Sequence, residues 1–271
     1  MYLEYYGFKE PPFDITPNPR FLFFSEKHRE ALNHLLYGIQ QRKGFVELTG
    51  EVGAGKTTLC RALLEQLGPK FKTALILNPV LTPKQLLKAI LIEFGLEPKG
   101  RDRFDFITQL NKFLLAEIMA GNEAVLLIDD AQAMTDELLE QVRLLSNLET
   151  TDRKLLQIVL LGQPELRDKL NQTSLRQLRQ RITVRYHLHP LREEEVDEYI
   201  HHRLATAGAN GNGPQFERDA SRAVFKYSCG VPRLVNAVCD KTLLAGYVFQ
   251  TNILTKAMVK RAVAELEGET L

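Results

Sequence analysis

The segment Gly50-Glu51-Val52-Gly53-Ala54-Gly55-Lys56-Thr57-Thr58 constrains this chain more than any other. Gly50, Gly53, Gly55, Lys56 and Thr57 fit the pattern G-x-x-x-x-G-K-[ST]. Glycines at those positions let the backbone turn tightly and aim its N–H groups inward at phosphate oxygens. The residues on either side agree with that use. "GFVELTG" before the loop is a short apolar strand, and "KTTLCRALLEQL" after it is an amphipathic helix whose N-terminus adds a positive dipole end. In such a loop Lys56 contacts the β and γ phosphates and the Thr57 hydroxyl ligates Mg²⁺, while Glu51, Val52, Ala54 and Thr58 complete the cradle. A strand that feeds a phosphate loop and then a helix demands a parallel sheet.

The rest of the first two thirds follows that rule. "KTALILN", "EAVLLIDD", "KLLQIVLLG" and "ITVRYHLHP" are nearly continuous apolar runs, and helical patterns alternate with them. That is the mark of a parallel sheet covered on both faces. After Pro190 the strands stop, and four amphipathic helical patterns follow. The expected organisation is therefore an αβα core over residues 1–190, opening with an irregular arm, and a smaller all-helical lid over 191–271. The arm is rich in aromatics and carries Pro11, Pro12, Pro17 and Pro19, which oppose a helix there. A helix from Glu26 to Gln41 follows, capped by Ser25. "GANGNGP" reads as a plain loop.

Composition narrows the class. Apolar residues make up 44% of the 271 and charged residues 25%, ordinary values for a chain with a sizeable core. Net charge is +1, so bulk electrostatics gives no reason to expect nucleic acid. The three cysteines, Cys60, Cys229 and Cys239, lack metal-ligand spacing and fit a reducing compartment. Cys60 is read as a buried small hydrophobe. The histidines have no ligand partners at zinc spacing. No secretory leader opens the chain, and no run reaches the roughly 18 apolar residues that a membrane span needs. A soluble, cytoplasmic protein is the expectation.

"VLLIDD" supplies the second anchor that a phosphate loop needs. Asp129 is expected to hold Mg²⁺, and Asp130 stands where a base would polarise the attacking water. Both lie at the carboxyl end of a parallel strand, where such sheets place their ligands.

The loop, "IDDAQ", "LLSNLET", "IVLLGQPEL", "LRQLRQRI", "GVPRLVN" and the opening "MYLEYYGFKEPPF" together resemble the AAA+ ATPase domain of the ExeA/GspA type. These are bacterial ATPases of type II secretion and of related pilus and envelope-export systems, and the resemblance spans essentially the whole chain. It implies ATP hydrolysis with Mg²⁺, self-association, and a partner among inner-membrane secretion or pilus assembly proteins. It makes Arg233 in "GVPRL" a sensor arginine on the γ phosphate. Arg176 and Arg181 match the arginines that reach into a neighbouring subunit's site, with Arg179 third. The residues by themselves also permit a simpler reading, in which those arginines coat the exposed face of a short helix. Gln163 ends a strand where these ATPases keep a polar sensor, or is a turn residue. Asn78 restrains Asp130, or caps the next turn. The family usually carries Glu where this chain has Asp130, which implies slow turnover. Full-length relatives continue beyond the lid, so the chain is either an ATPase-only relative or one domain of a longer protein. A DNA-associated scaffold of the transposition or replication-initiator kind is the alternative function.

Overall fold

The computed structural model describes residues 2–16, 18–151, 153–209 and 213–268. Five strands form one parallel sheet: β1 (Phe45–Gly50), β2 (Phe71–Ile76), β3 (Glu123–Ile128), β4 (Leu156–Gly162) and β5 (Ile182–Leu188). Their spatial order is β2-β3-β4-β1-β5. The helices are α1 (Tyr2–Tyr6), α2 (Glu26–Gln40), α3 (Lys56–Leu67), α4 (Pro83–Glu93), α5 (Arg103–Met119), α6 (Asp136–Leu145), α7 (Pro164–Leu170), α8 (Arg176–Arg181), α9 (Glu193–Thr206), α10 (Arg218–Ser228), α11 (Pro232–Val248) and α12 (Lys256–Leu266). Two strands of two residues each, β6 (Gln215–Phe216) and β7 (Ile253–Leu254), pair in parallel.

The chain divides into two compact units. One, the sheet unit, comprises residues 29–50 and 59–188. Its central strands β1 and β4 are buried along their whole length, whereas the edge strands β2 and β5 alternate with exposed or half-exposed positions. Continuous apolar runs therefore mark the strands with neighbours on both sides. The core here is almost wholly aliphatic, with Leu126, Ile128, Ile158 and Leu160 from the strands meeting Leu86, Ile90, Leu110 and Leu138 from the helices. Local signals bound the helices. Thr82 and Gln85 form a reciprocal capping box at the start of α4, as do Asp102 and Asp105 at α5. Gly50 closes β1 at a place where a Cβ would come within 2.7 Å of the Leu188 carbonyl oxygen, so no larger residue fits without a shift. The carboxyl ends of β1, β3 and β4 share one edge of this sheet, and chain order reverses beside β1, the place where open α/β sheets bind ligands.

The second, helical unit comprises residues 1–28, 51–58 and 189–271. Two expectations are corrected here. The N-terminal arm belongs to this unit and not to the sheet, and it is not wholly irregular: it holds α1 and a 3₁₀ turn at Pro19–Phe21. The prolines lie beyond α1, so they do not oppose it. The region after Pro190 is also not all-helical, since it contains the β6–β7 pair. Residues 210–212 of the "GANGNGP" loop, and Pro17 of the arm, lie outside the described residues. The arm's Tyr6, Phe8, Phe13 and Phe21 are buried with Val196, Ile200, Val235 and Leu243 of α9 and α11. Arg203 fastens it: its guanidinium donates to the carbonyl oxygens of Pro12 at 2.5 Å and Asp14 at 3.0 Å, and stacks 4.6 Å from the Phe21 ring. Tyr2 donates to Asp240 and Tyr6 to the Leu243 carbonyl.

Candidate functional site

The chain leaves β1 at Gly50 and enters α3 at Lys56. Gly53 and Gly55 between them have φ of +80° and +96°, a left-handed backbone that disfavours any side chain. A loop that turns N–H groups inward must turn carbonyls outward, and buried carbonyls need donors. Glu51 O accepts the Ala54 N–H at 3.1 Å and the Lys56 ammonium at 3.0 Å. Gly53 O accepts the Arg233 N–H at 3.2 Å. Ala54 O lies 3.2 Å from Nε2 of His28. Lys56 itself is buried at 7% exposure.

The motif "GVPRL" places Arg233 by plain geometry. Gly230 lets the chain pass Leu191 so closely that any Cβ there would overlap the Leu191 carbonyl oxygen. Pro232 presets the first residue of α11. Arg233 then lies flat on the phosphate loop, and a Cβ on Gly53 would collide with its side-chain stem. Arg233 as a whole is exposed.

In the sheet unit, Asp129 follows β3 and is 4% exposed. Its N–H donates to Ile76 O at 2.8 Å, extending the β2–β3 ladder, and its Oδ1 accepts the Asp130 N–H at 2.9 Å. Asp130 is exposed and has φ +50°, a conformation that Asp tolerates better than most residues but that still carries strain. Its Oδ1 accepts from Gln132 Nε2 at 3.0 Å. The Gln132 Oε1 in turn accepts the Gln163 N–H at 3.0 Å. Gln132 thus ties the end of β3 to the end of β4. Sequence reasoning passed over it, although it stands inside the quoted "IDDAQ". Gln163 takes part through its backbone and makes no side-chain cap.

The remaining candidates separate. Asn78 is exposed and accepts the Val80 N–H at 3.3 Å, so its bond is the turn cap and not one to Asp130. Arg181 donates to Ser146 Oγ and, at 3.5 Å, to Arg143 O. Arg179 reaches Asn171 O at 3.3 Å. Arg176 is exposed at the start of α8. Burial, and secondarily the Asp129 carboxylate, pushes the Cys60 thiol up to about 12, which makes it a packed and unreactive group.

Comparison with known proteins identifies the family. The family described as AAA domain matches residues 39–170. The General secretion pathway protein A of Aeromonas hydrophila is 48% identical over 273 residues, covering 99% of this chain and 49% of that protein. The chain thus spans about half the length of that relative. Among solved structures, the Aeropyrum pernix ORC2 protein superposes with a TM-score of 0.70 at 19% identity, over 95% of this chain and 72% of that one. Drosophila ORC bound to DNA gives 0.65 at 17%, over 95% and 66%. The Thermotoga maritima RuvB Holliday junction branch migration motor gives 0.59 at 19%, over 90% and 69%. At those identities the solved structures speak for the fold alone. Among the described residues no helix is long and apolar enough to cross a membrane. With its phosphate loop, its strand-end carboxylates and a close relative over its whole length, the chain is an AAA ATPase domain of the ExeA/GspA type.

Proposed function

We propose that the chain binds ATP at the phosphate loop, and that hydrolysis drives assembly or remodelling of a bacterial secretion, pilus or envelope-export complex from the cytoplasmic side of the inner membrane. The observation that carries the ATP site is the cradle at Gly53 and Gly55, which any Cβ would strain and whose outward carbonyls are held. The residues that the sequence motifs offer to Mg²⁺, the Thr57 hydroxyl and the Asp129 carboxylate, are each hard oxygen ligands. When bound, Mg²⁺ neutralises charge on the phosphates. The protein's own groups do the rest. Loop N–H groups and Lys56 bind and orient the phosphates, Arg233 reaches the terminal one, and Asp130 holds the water in line as base.

Arg176 is the better candidate for a trans-acting arginine. Its side chain is exposed, whereas Arg181 is engaged with α6. A self-associating ATPase whose Arg176 completes a neighbour's site should show specific activity that rises with protein concentration, and Arg176→Ala should abolish that rise while Arg181→Ala does not. Flat activity across the range removes the trans-acting role. The secretion role rests on the relative from Aeromonas hydrophila and is tested by complementation. A strain lacking its own General secretion pathway protein A should regain secretion with a hybrid carrying this domain, and lose it again when Lys56 is replaced by alanine. The measured effect of EDTA on turnover tests the Mg²⁺ requirement.

A further inference from the structure

The sequence reading assigned His28 no role. It stands at the third position of α2 and is 3% exposed. Both ring nitrogens are engaged. Nδ1 lies 2.8 Å from Ser25 Oγ, and Nε2 lies 3.2 Å from the Ala54 carbonyl oxygen of the phosphate loop. The ring also sits against Gly55, where a Cβ would come 3.2 Å from Nε2. A carbonyl can only accept, so Nε2 carries the proton and Nδ1 accepts from the serine hydroxyl. The same hydroxyl oxygen accepts the His28 N–H at 3.3 Å, so Ser25 fixes the tautomer while it caps the helix.

We infer that His28 is a positioning residue for the phosphate loop: its Nε2–H holds the Ala54 carbonyl outward, and this sets the adjoining loop N–H groups toward the phosphates. The inference rests on the ATP site proposed above. The carbonyl it holds lies between two glycines, whose backbone is otherwise free to rotate each peptide plane. Ala54 is 1% exposed, so losing its donor leaves a buried acceptor unpaired or lets the peptide turn. Burial pulls the imidazole below the ordinary histidine range, which keeps the neutral, single-tautomer form at neutral pH. Arg233 N–H plays the matching part at Gly53. Two donors from segments far apart in sequence therefore hold adjacent carbonyls of one loop.

The test separates bulk from hydrogen bonding. His28→Gln places an amide N–H near the Nε2 position, His28→Asn places one only near Nδ1, and His28→Leu keeps volume with no donor. Titrating each variant of the whole chain with a fluorescent ATP analogue, the inference expects His28→Gln within about threefold of the parent, and His28→Asn and His28→Leu weaker by about tenfold, the worth of one buried bond. Thermal melting of the nucleotide-free proteins shows that each variant is folded. If His28→Leu binds as tightly as the parent, the inference is overturned, because packing alone would then suffice. Lys56→Ala in the same titration separates the two readings: if it loses affinity while His28→Leu and His28→Asn do not, only the role of His28 fails; if the parent binds no ATP, both fall. A readout without nucleotide is the ¹⁵N shift pattern of the His28 ring. An Nε2–H tautomer is expected, and an Nδ1–H tautomer overturns the assignment.

Discussion

In the phosphate loop three backbone carbonyls, of Glu51, Gly53 and Ala54, each have a donor, and one of those donors comes from α2 and another from α11. At the end of β3 the contrast is plain. Asp129 is buried and locked into the ladder, but Asp130 is exposed and left-handed, and among the described residues its carboxylate takes one side-chain amide, from Gln132. One region is shaped before anything binds to it, while the other keeps the proposed base on a strained, left-handed residue with a lightly held side chain. Binding and turnover should therefore be separable by mutation, with binding insensitive to changes at Asp130 and turnover sensitive to them.

The sharpest way to break this comparison is at Asp130. Asp130→Asn should lower kcat by about 100-fold or more, the usual worth of a positioned base, and leave ATP affinity unchanged. Asp130→Glu, with one more methylene of reach, should instead raise kcat several-fold at the same affinity. A loss of affinity in either variant would show that the two regions are not independent. Next comes Lys56→Ala, which should weaken ATP binding by about 10–100-fold through loss of a charge-assisted bond, while the protein still melts cooperatively as a folded chain. A smaller effect is expected from Arg203→Ala, which touches neither region. It strips donors from Pro12 O and Asp14 O, so the protein should lose about 1–3 kcal/mol of stability in urea titration. If the arm supports the loop, ATP affinity in that variant falls a few-fold as well, and the pH profile of turnover does not move. The mildest test is chemical. At pH 8 a thiol reagent should modify exposed Cys229 quickly and leave Cys60 untouched, because a thiol pushed to about 12 holds almost no thiolate there. Rapid labelling of Cys60 would mean that the packing around α3 opens in solution and exposes a thiol that is 1% exposed in the closed form.

Much of this was legible in the sequence. The strand, loop and helix around Lys56, the sheet class and nearly every helix could be read, because each depends on a period or a cap within a few neighbouring residues. "VLLIDD" showed both the strand and the carboxylates for the same reason. What could not be read is what depends on distant partners. The arm's place was misjudged because Arg203 and Pro12 stand 191 residues apart, and no period encodes that bond. His28 looked like any polar residue on the first turn of a helix. Gln132 was visible as a letter of a motif, but its bridge to Gln163 depends on β3 and β4 being neighbours, which is a property of the sheet order. The β6–β7 pair is two residues long, too short for alternation to register.

The arm has a consequence for how the chain is made. Tyr2, Tyr6 and Pro12 leave the ribosome well before their partners Asp240, Leu243 and Arg203. At roughly 5–20 residues per second, the arm waits on the order of 10–40 s for the helices that hold it. The sheet residues, 29–50 and 59–188, are all synthesised within that interval. A nascent chain can thus complete its β-ladders well before His28 and Arg233 are both in place on the phosphate loop. Competence to grip nucleotide then comes later than the sheet, and a chain cut short before Arg233 carries the motif without the grip.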